Sequence, residues 1–240
     1  YPTWTSTHYT LLDLRNLEIA PTTPGIRSLI QHIIATHRAA DGGLGHRPDC
    51  KTSDVCINGM FLNYASFFGV PEADLSFFVD YLLTELMADG GFNCMRSRSG
   101  AHHSSMHSTL SVLEGLLAFQ QAGHRYRSAE LGAAVASAQA FLLQHNLFRS
   151  DRTGKTIHPG FLKMPYPPRW RYNVLRALDY FRAASVPFDP RMTAGLGAIA
   201  DKRRADGTWP RQAALPGKVH FTMEPARKPG RWNTLIALRV

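Results

Sequence analysis

Three turns of the same grammar constrain this chain more than anything else in it. Asp89–Gly123 reads DGGFNCMRSRSGAHHSSMHSTLSVLEGLLAFQQAG: a helix end at Asp-Gly-Gly, an aromatic residue, a polar loop rich in His and Ser, then a long apolar-periodic helix. The same order returns from Asp41 in DGGLGHRPDCKTSDVCINGMFLNYASFFG and from Ala205 in ADGTWPRQAALPGKVHFTMEPARKPGRWNTLIALRV. A repeated unit of this kind cannot bury its apolar face alone, so the fold has to stack neighbours that complete one another's core.

Turns marked by Gly or Pro close helical patterns at Leu17–Pro21, Phe68–Pro71, Ala122–His124 and Ser185–Pro187, about 50 to 65 residues apart. Apolar residues at spacings of three and four predict helices over Tyr9–Leu17, Pro24–Arg38, Asp54–Phe68, Ala73–Met87, His107–Gln121, Ser128–Gln144, Trp170–Ala184, Pro190–Ala205 and Arg231–Val240. Alternating β-branched runs are almost absent, so the expected class is all-α. The helices pair within each repeat. The second of each pair carries small residues (Gly59, Ala65, Gly115, Ala118, Ala177) among large ones, which suits an inner layer packed on both sides.

Composition narrows the function classes. The net charge of +9 raises nucleic acid as a partner. The basic residues are scattered, however, with small groups at Lys202–Arg204 and Arg227–Arg231, and no nucleic-acid-binding motif accompanies them. No nucleic-acid role is expected. No apolar run approaches the roughly 18 residues of a membrane span. The opening YPTWTSTHYTLL lacks a basic leader pattern. Three cysteines, Cys50, Cys56 and Cys94, are too few for a disulfide framework and fit a reducing cytoplasm. The pattern opens and closes in mid-repeat, so one domain over residues 1–240, trimmed at both ends, is the expectation. Oligomeric state is left open.

The D-G-G-aromatic turn and the alternating helices resemble the α/α toroid of squalene cyclases and protein prenyltransferase β subunits. The stretches WTSTHYTLLDLRNL, HSSMHSTLSVLEGL and GRWNTLIALRV are also similar to bacterial proteins of unassigned role that carry prenyltransferase and squalene-oxidase-type repeats. The resemblance implies an incomplete ring of about four to five helical hairpins in two concentric layers. It also implies a central cavity for an isoprenoid or another long apolar ligand. Catalysis by a zinc-dependent transferase and a non-catalytic toroid that binds a lipid or a protein partner both remain open. The D-x-D-D acid of protonation-initiated terpene cyclases is missing from the chain.

In the prenyltransferases, zinc is held by an Asp and a Cys two apart at one inner-helix start and by a His at the next. The matching positions are Asp54, Cys56 and His107, with one residue more between Pro48 and Asp54 than that pattern has. Cys56 and His107 lie 51 positions apart, one repeat. Such a set leaves one coordination position for a thiolate or water. Cys94 with His102 or His103 could complete or replace it, and Cys56, Cys94 and His107 form an alternative set. Each residue also has a plain structural role available: Asp54 as a helix N-cap, Cys56 as a small buried apolar side chain, His107 as a cap.

Aromatic residues in the loops and at inner-helix starts form a second set: Trp4, Tyr9, Tyr166, Trp170, Tyr172 and Trp232, with Phe61, Phe92, Trp209 and Phe221. They are expected either to line an apolar cavity or simply to pack, with packing favoured for Phe92 and Trp209. The long loop His145–Arg169 supplies His158, Lys163, Tyr166 and Arg169, and Arg171 follows it. With His103 and His220 these could meet an anionic head group such as a diphosphate.

Overall fold

The computed structural model describes residues 4–212, 215–225 and 228–240. Tyr1–Thr3 of the opening motif and Arg227 of one basic group therefore lie outside the described residues. Helices and short 3-10 turns account for the regular structure, and among the described residues no strand occurs, only isolated bridges such as Arg38 with Leu44. The helices are α1 (Thr7–Asn16), α2 (Ile26–His37), α3 (Val55–Phe67), α4 (Glu72–Thr84), α5 (Met95–Ser99), α6 (Met106–Gln121), α7 (Ser128–Gln144), α8 (Val174–Ala183), α9 (Thr193–Ala200) and α10 (Arg231–Arg239). The class is all-α. The chain divides into two compact units, one of Leu11–Phe141 and one of Tyr1–Thr10 with Leu142–Val240.

In the unit Leu11–Phe141, α3 and α6 lie against each other with their backbones in contact. Two glycines make that approach possible. A Cβ on Gly115 would fall 2.2 Å from the Gly59 carbonyl oxygen, and one on Gly59 would fall 2.6 Å from the Ser111 carbonyl oxygen. Both helices are apolar round most of their circumference, and Met60, Phe61, Leu62, Leu110, Val112 and Leu113 are fully buried. That all-round burial is what an inner helix requires. Helix α4 covers α3 through Leu75, Phe78 and Val79, with the rings of Phe61 and Phe78 4.7 Å apart. From α2, Ile26 and Ile30 join this core.

In the other unit, α8 buries Val174, Leu175, Ala177, Leu178, Tyr180 and Phe181. Arg239 at the end of α10 reaches Asp179 of α8 through two hydrogen bonds of 2.8 and 2.5 Å. The Trp209 indole donates to the Ile199 carbonyl at 2.7 Å, tying the third Asp-Gly turn to the end of α9.

The repeat is visible bond by bond. At the three turns the backbone N–H of Ala39, Met87 and Arg204 donates to the carbonyl of Gly43, Gly91 and Thr208 at 2.8, 2.9 and 2.8 Å. Between them sit Gly42, Gly90 and Gly207 at φ 91°, 95° and 83°, a conformation that costs a side-chain-bearing residue about 1 kcal/mol or more. The aspartate holds each turn from the side. Asp41 accepts from the Ser53 N–H at 2.6 Å, Asp89 from the Ser104 N–H at 2.7 Å, and Asp206 from the Thr208 N–H at 3.0 Å. The next residue then docks on the fourth residue of the following inner helix. Leu44 N–H donates to Asn58 Oδ1, Phe92 N–H to Thr109 Oγ1, and Trp209 N–H to Thr234 Oγ1, at 2.7, 3.0 and 2.9 Å. Phe92 and Trp209 are buried, as packing residues are. One departure is marked: Leu235 and Leu238 of α10 are 54% and 64% exposed, whereas their counterparts in α6, Leu110 and Leu113, are fully buried.

Several boundaries differ from the sequence expectation. The predicted Trp170–Ala184 helix starts four residues late, because the Asn173 side chain accepts from the Arg176 N–H and caps the helix at Val174. The predicted Pro190–Ala205 helix splits into a 3-10 turn, Pro190–Met192, and α9, which stops at Ala200 where the third Asp-Gly turn begins to form. Two short elements were not expected, α5 and the 3-10 turn Pro159–Leu162.

Candidate functional site

The N-terminal turn of α3 is where the sequence-derived chemistry converges. The first N–H groups of a helix have no intrahelical acceptor and must find one elsewhere. Asp54 occupies the N-cap position in extended backbone but makes no side-chain cap. Its carboxylate is instead paired with the Arg98 guanidinium of α5. The N–H of Cys56, second residue of α3, donates to the Cys94 sulfur at 3.1 Å. Ser108 of α6 completes the arrangement. Its hydroxyl accepts from the Cys94 N–H at 3.2 Å and donates to the Cys94 sulfur at 3.3 Å.

Cys94 is therefore an acceptor held at a helix N-terminus, and the two thiols are not equivalent. The Cys56 thiol donates to Cys94, which holds the Cys94 thiol below the ordinary range against the opposing effect of burial; the Ser108 hydroxyl adds to the lowering. The same hydrogen bond, reinforced by burial, pushes the Cys56 thiol well up. Of the two thiols Cys94 is the one that ionises first, and the positive end of the α3 dipole favours that charge. Both cysteines are free and half-buried, whereas Cys50 is buried, 3.5 Å from His46 Nδ1. A sulfur so placed is a nucleophile and a soft ligand.

The docking bonds define a register. Cys56 is the second residue of α3, His107 of α6, and Trp232 of α10. Cys56 and His107 thus hold equivalent positions in successive repeats, as their spacing implied. Cys94 belongs to the turn that precedes α6 and lies against the start of α3. Among the described residues, no group of three or more His, Cys, Asp or Glu is arranged to hold a metal ion. Of the expected trio, Asp54 is paired with Arg98, and the Cys56 N–H donates to Cys94. Sequence reasoning missed Arg98 and Ser108. Nothing in the sequence placed Arg98, 44 positions along, beside Asp54.

The expected ligand-binding residues fall mostly in the other unit, where packing uses many of them. Trp4 is buried, donates its indole N–H to the Pro216 carbonyl at 2.7 Å, and meets the Tyr9 ring edge-on at 4.9 Å. Arg169, also buried, lies over Trp4 at 4.9 Å and donates to its carbonyl at 3.2 Å. Tyr166 stacks on Trp232 at 5.4 Å. The Tyr172 hydroxyl donates to the Leu147 carbonyl at 2.5 Å. Trp170 is half-buried beneath Arg171. His158 Nδ1 accepts from the Gly160 N–H at 2.9 Å and caps the 3-10 turn. His220 is exposed, with Nε2 2.9 Å from Thr10 Oγ1. In the first unit, His103 is exposed, and its carbonyl accepts from Asn93 at 2.7 Å. A cleft of about 300 Å³ opens beside α10 between Thr208, Gly230, Arg231, Thr234, Leu235 and Leu238.

No helix among the described residues is long and apolar enough to cross a membrane. No protein-family model matches the chain, and no curated protein matches its sequence closely enough to be counted a relative.

Proposed function

We propose that this chain is an isoprenoid- or lipid-handling protein built as an α/α toroid of the prenyltransferase and squalene-cyclase repeat type, with its chemical centre at the starts of α3 and α6. The observation that carries the reading is the shared register of Cys56 and His107. The same hydrogen-bonded turn sets each inner helix, so the two residues recur at one repeat interval with the Cys94 sulfur between their elements. The motif resemblance rests on this unit and supplies the ligand class.

Chemistry at this centre would be that of a thiol. Cys94 is the nucleophile or ligand, Cys56 donates to it, Ser108 orients it, and Arg98 neutralises Asp54. Zinc belongs to the same proposal. Cys56 and Cys94 are soft donors of the kind it takes, and it would activate a bound thiol or water. Recruiting Asp54 and His107 requires Asp54 to leave Arg98.

The test combines two measurements on the purified chain. Solvent extraction followed by mass spectrometry is expected to release a long-chain isoprenoid or lipid in near-stoichiometric amount. Metal analysis after zinc addition is expected to find zinc that Cys56→Ala and His107→Ala each lose with helicity retained. An extract free of apolar ligand, with no uptake of added isoprenoid, refutes the reading.

A further inference from the structure

The thiol pair supports a second inference that needs neither an apolar ligand nor a metal. We propose that Cys94 and Cys56 form a peroxide-reactive dithiol that closes to an intramolecular disulfide. The grounds are geometric. The Cys94 sulfur accepts from the backbone N–H of Cys56 at 3.1 Å, and both cysteines are free. A sulfur held this close to its partner residue needs little backbone movement to bond, and proximity replaces a bimolecular encounter with an intramolecular one.

The hydrogen bonds assign the roles. Cys94 receives the Cys56 N–H and the Ser108 hydroxyl at the start of α3, so it is the attacking sulfur. Cys56 resolves. Arg98, paired with Asp54, has 57% of its side chain exposed, and both cysteines are half-buried rather than fully enclosed.

The chemistry balances with a hydroperoxide as oxidant. The deprotonated Cys94 sulfur attacks one peroxide oxygen. An S–O bond forms, the O–O bond breaks, and the leaving oxygen takes a proton from water to become an alcohol or water. The sulfur is oxidised to a sulfenic acid as the peroxide is reduced. The Cys56 sulfur then attacks Cys94. An S–S bond forms, the S–O bond breaks, and hydroxide leaves as water with the Cys56 proton.

The experiment treats the chelator-washed full chain with hydrogen peroxide and maps its cysteines by alkylation and peptide mass spectrometry. A Cys56–Cys94 disulfide reversed by dithiothreitol is expected, with Cys94 oxidised about tenfold or more faster than the buried Cys50. Cys56→Ser is expected to stop at a Cys94 sulfenic acid trapped by a cyclic 1,3-dione. Cys50→Ser should leave disulfide formation unchanged. In the unmutated chain, dione added with peroxide should label Cys94 first, a readout that does not depend on how the variants fold. Disulfides between chains, pairing of Cys50, or first labelling at Cys56 would each overturn the proposal. A chain that binds isoprenoid yet forms no Cys56–Cys94 bond refutes this inference and leaves the proposed function standing. A chain that forms the bond but takes up no isoprenoid does the reverse.

Discussion

Replacing Gly115 with Ala tests the contact on which the site depends. In an open helix the change is favourable by about 1 kcal/mol, because Ala is the better helix former. At Gly115 the new Cβ would fall 2.2 Å from the Gly59 carbonyl oxygen and 3.0 Å from its carbonyl carbon. Those are backbone atoms of a buried helix, so no rotamer relieves the clash. The helices must separate by about 1 Å to restore ordinary contact, and forced overpacking of this kind costs about 1–3 kcal/mol, occasionally more. With both partners backbone the upper end applies, which leaves Gly115→Ala about 2 kcal/mol less stable than the parent. Gly132 in α7 is the matched control, for a Cβ there meets nothing within 4 Å. Gly132→Ala should therefore gain about 0.5–1 kcal/mol. Urea unfolding followed by far-ultraviolet circular dichroism measures the difference, about 3 kcal/mol in favour of Gly132→Ala. If Gly115→Ala proves as stable as Gly132→Ala, α3 and α6 are not in backbone contact and the register of Cys56 and His107 loses its basis.

Further expectations follow from the turn and the site. Asp41→Ala removes the acceptor of the N–H and hydroxyl of buried Ser53, and should cost about 1–3 kcal/mol in the same assay; Asp206→Ala, whose partners are exposed, should stay within about 0.5 kcal/mol. Iodoacetamide at graded pH should alkylate Cys94 ahead of Cys56 and Cys50, and Cys94 should stay reactive at the lowest pH, since its thiol lies below the ordinary range and that of Cys56 above it. Equal rates would remove the asymmetry of the pair. The side-chain and backbone hydrogen bonds from Arg191 hold the Asp189 carboxyl down at about 2. A depressed folded value favours the ionised form. The stabilisation is therefore present above the ordinary carboxylate value and is lost as pH falls through about 2. A carboxyl-carbon nuclear magnetic resonance titration should find that value, and Arg191→Ala, which removes the guanidinium but keeps the backbone N–H, should raise it toward the ordinary range.

The sequence made the repeat legible because the device that builds it is local. Asp-Gly at each turn and small residues in the inner helices are readable without a partner, and α3 and α6 start within one residue of where their apolar spacing predicts. The site was legible only in part, because its two cysteines lie 38 residues apart in sequence. Periodicity pairs Cys56 with His107, one repeat on, but has no rule for Cys94, which sits in a turn and faces back to the preceding repeat's helix. Asp54 reads as a cap or a ligand from its position, yet Arg98 decides its partner, and a five-residue helix with four polar residues leaves no periodic mark. The aromatic residues carried the least information, since the Trp4 indole and the Tyr172 hydroxyl find internal acceptors and Tyr166 stacks on Trp232 whether or not a ligand exists.

The claim at the centre of this account is that the chain holds an isoprenoid-type ligand, and native mass spectrometry of the intact chain tests it most directly. Titrated with a farnesyl-length diphosphate, the chain should bind one molecule saturably, while inorganic diphosphate alone binds far more weakly. Adducts no more abundant than those of inorganic diphosphate, rising without saturation, would contradict it.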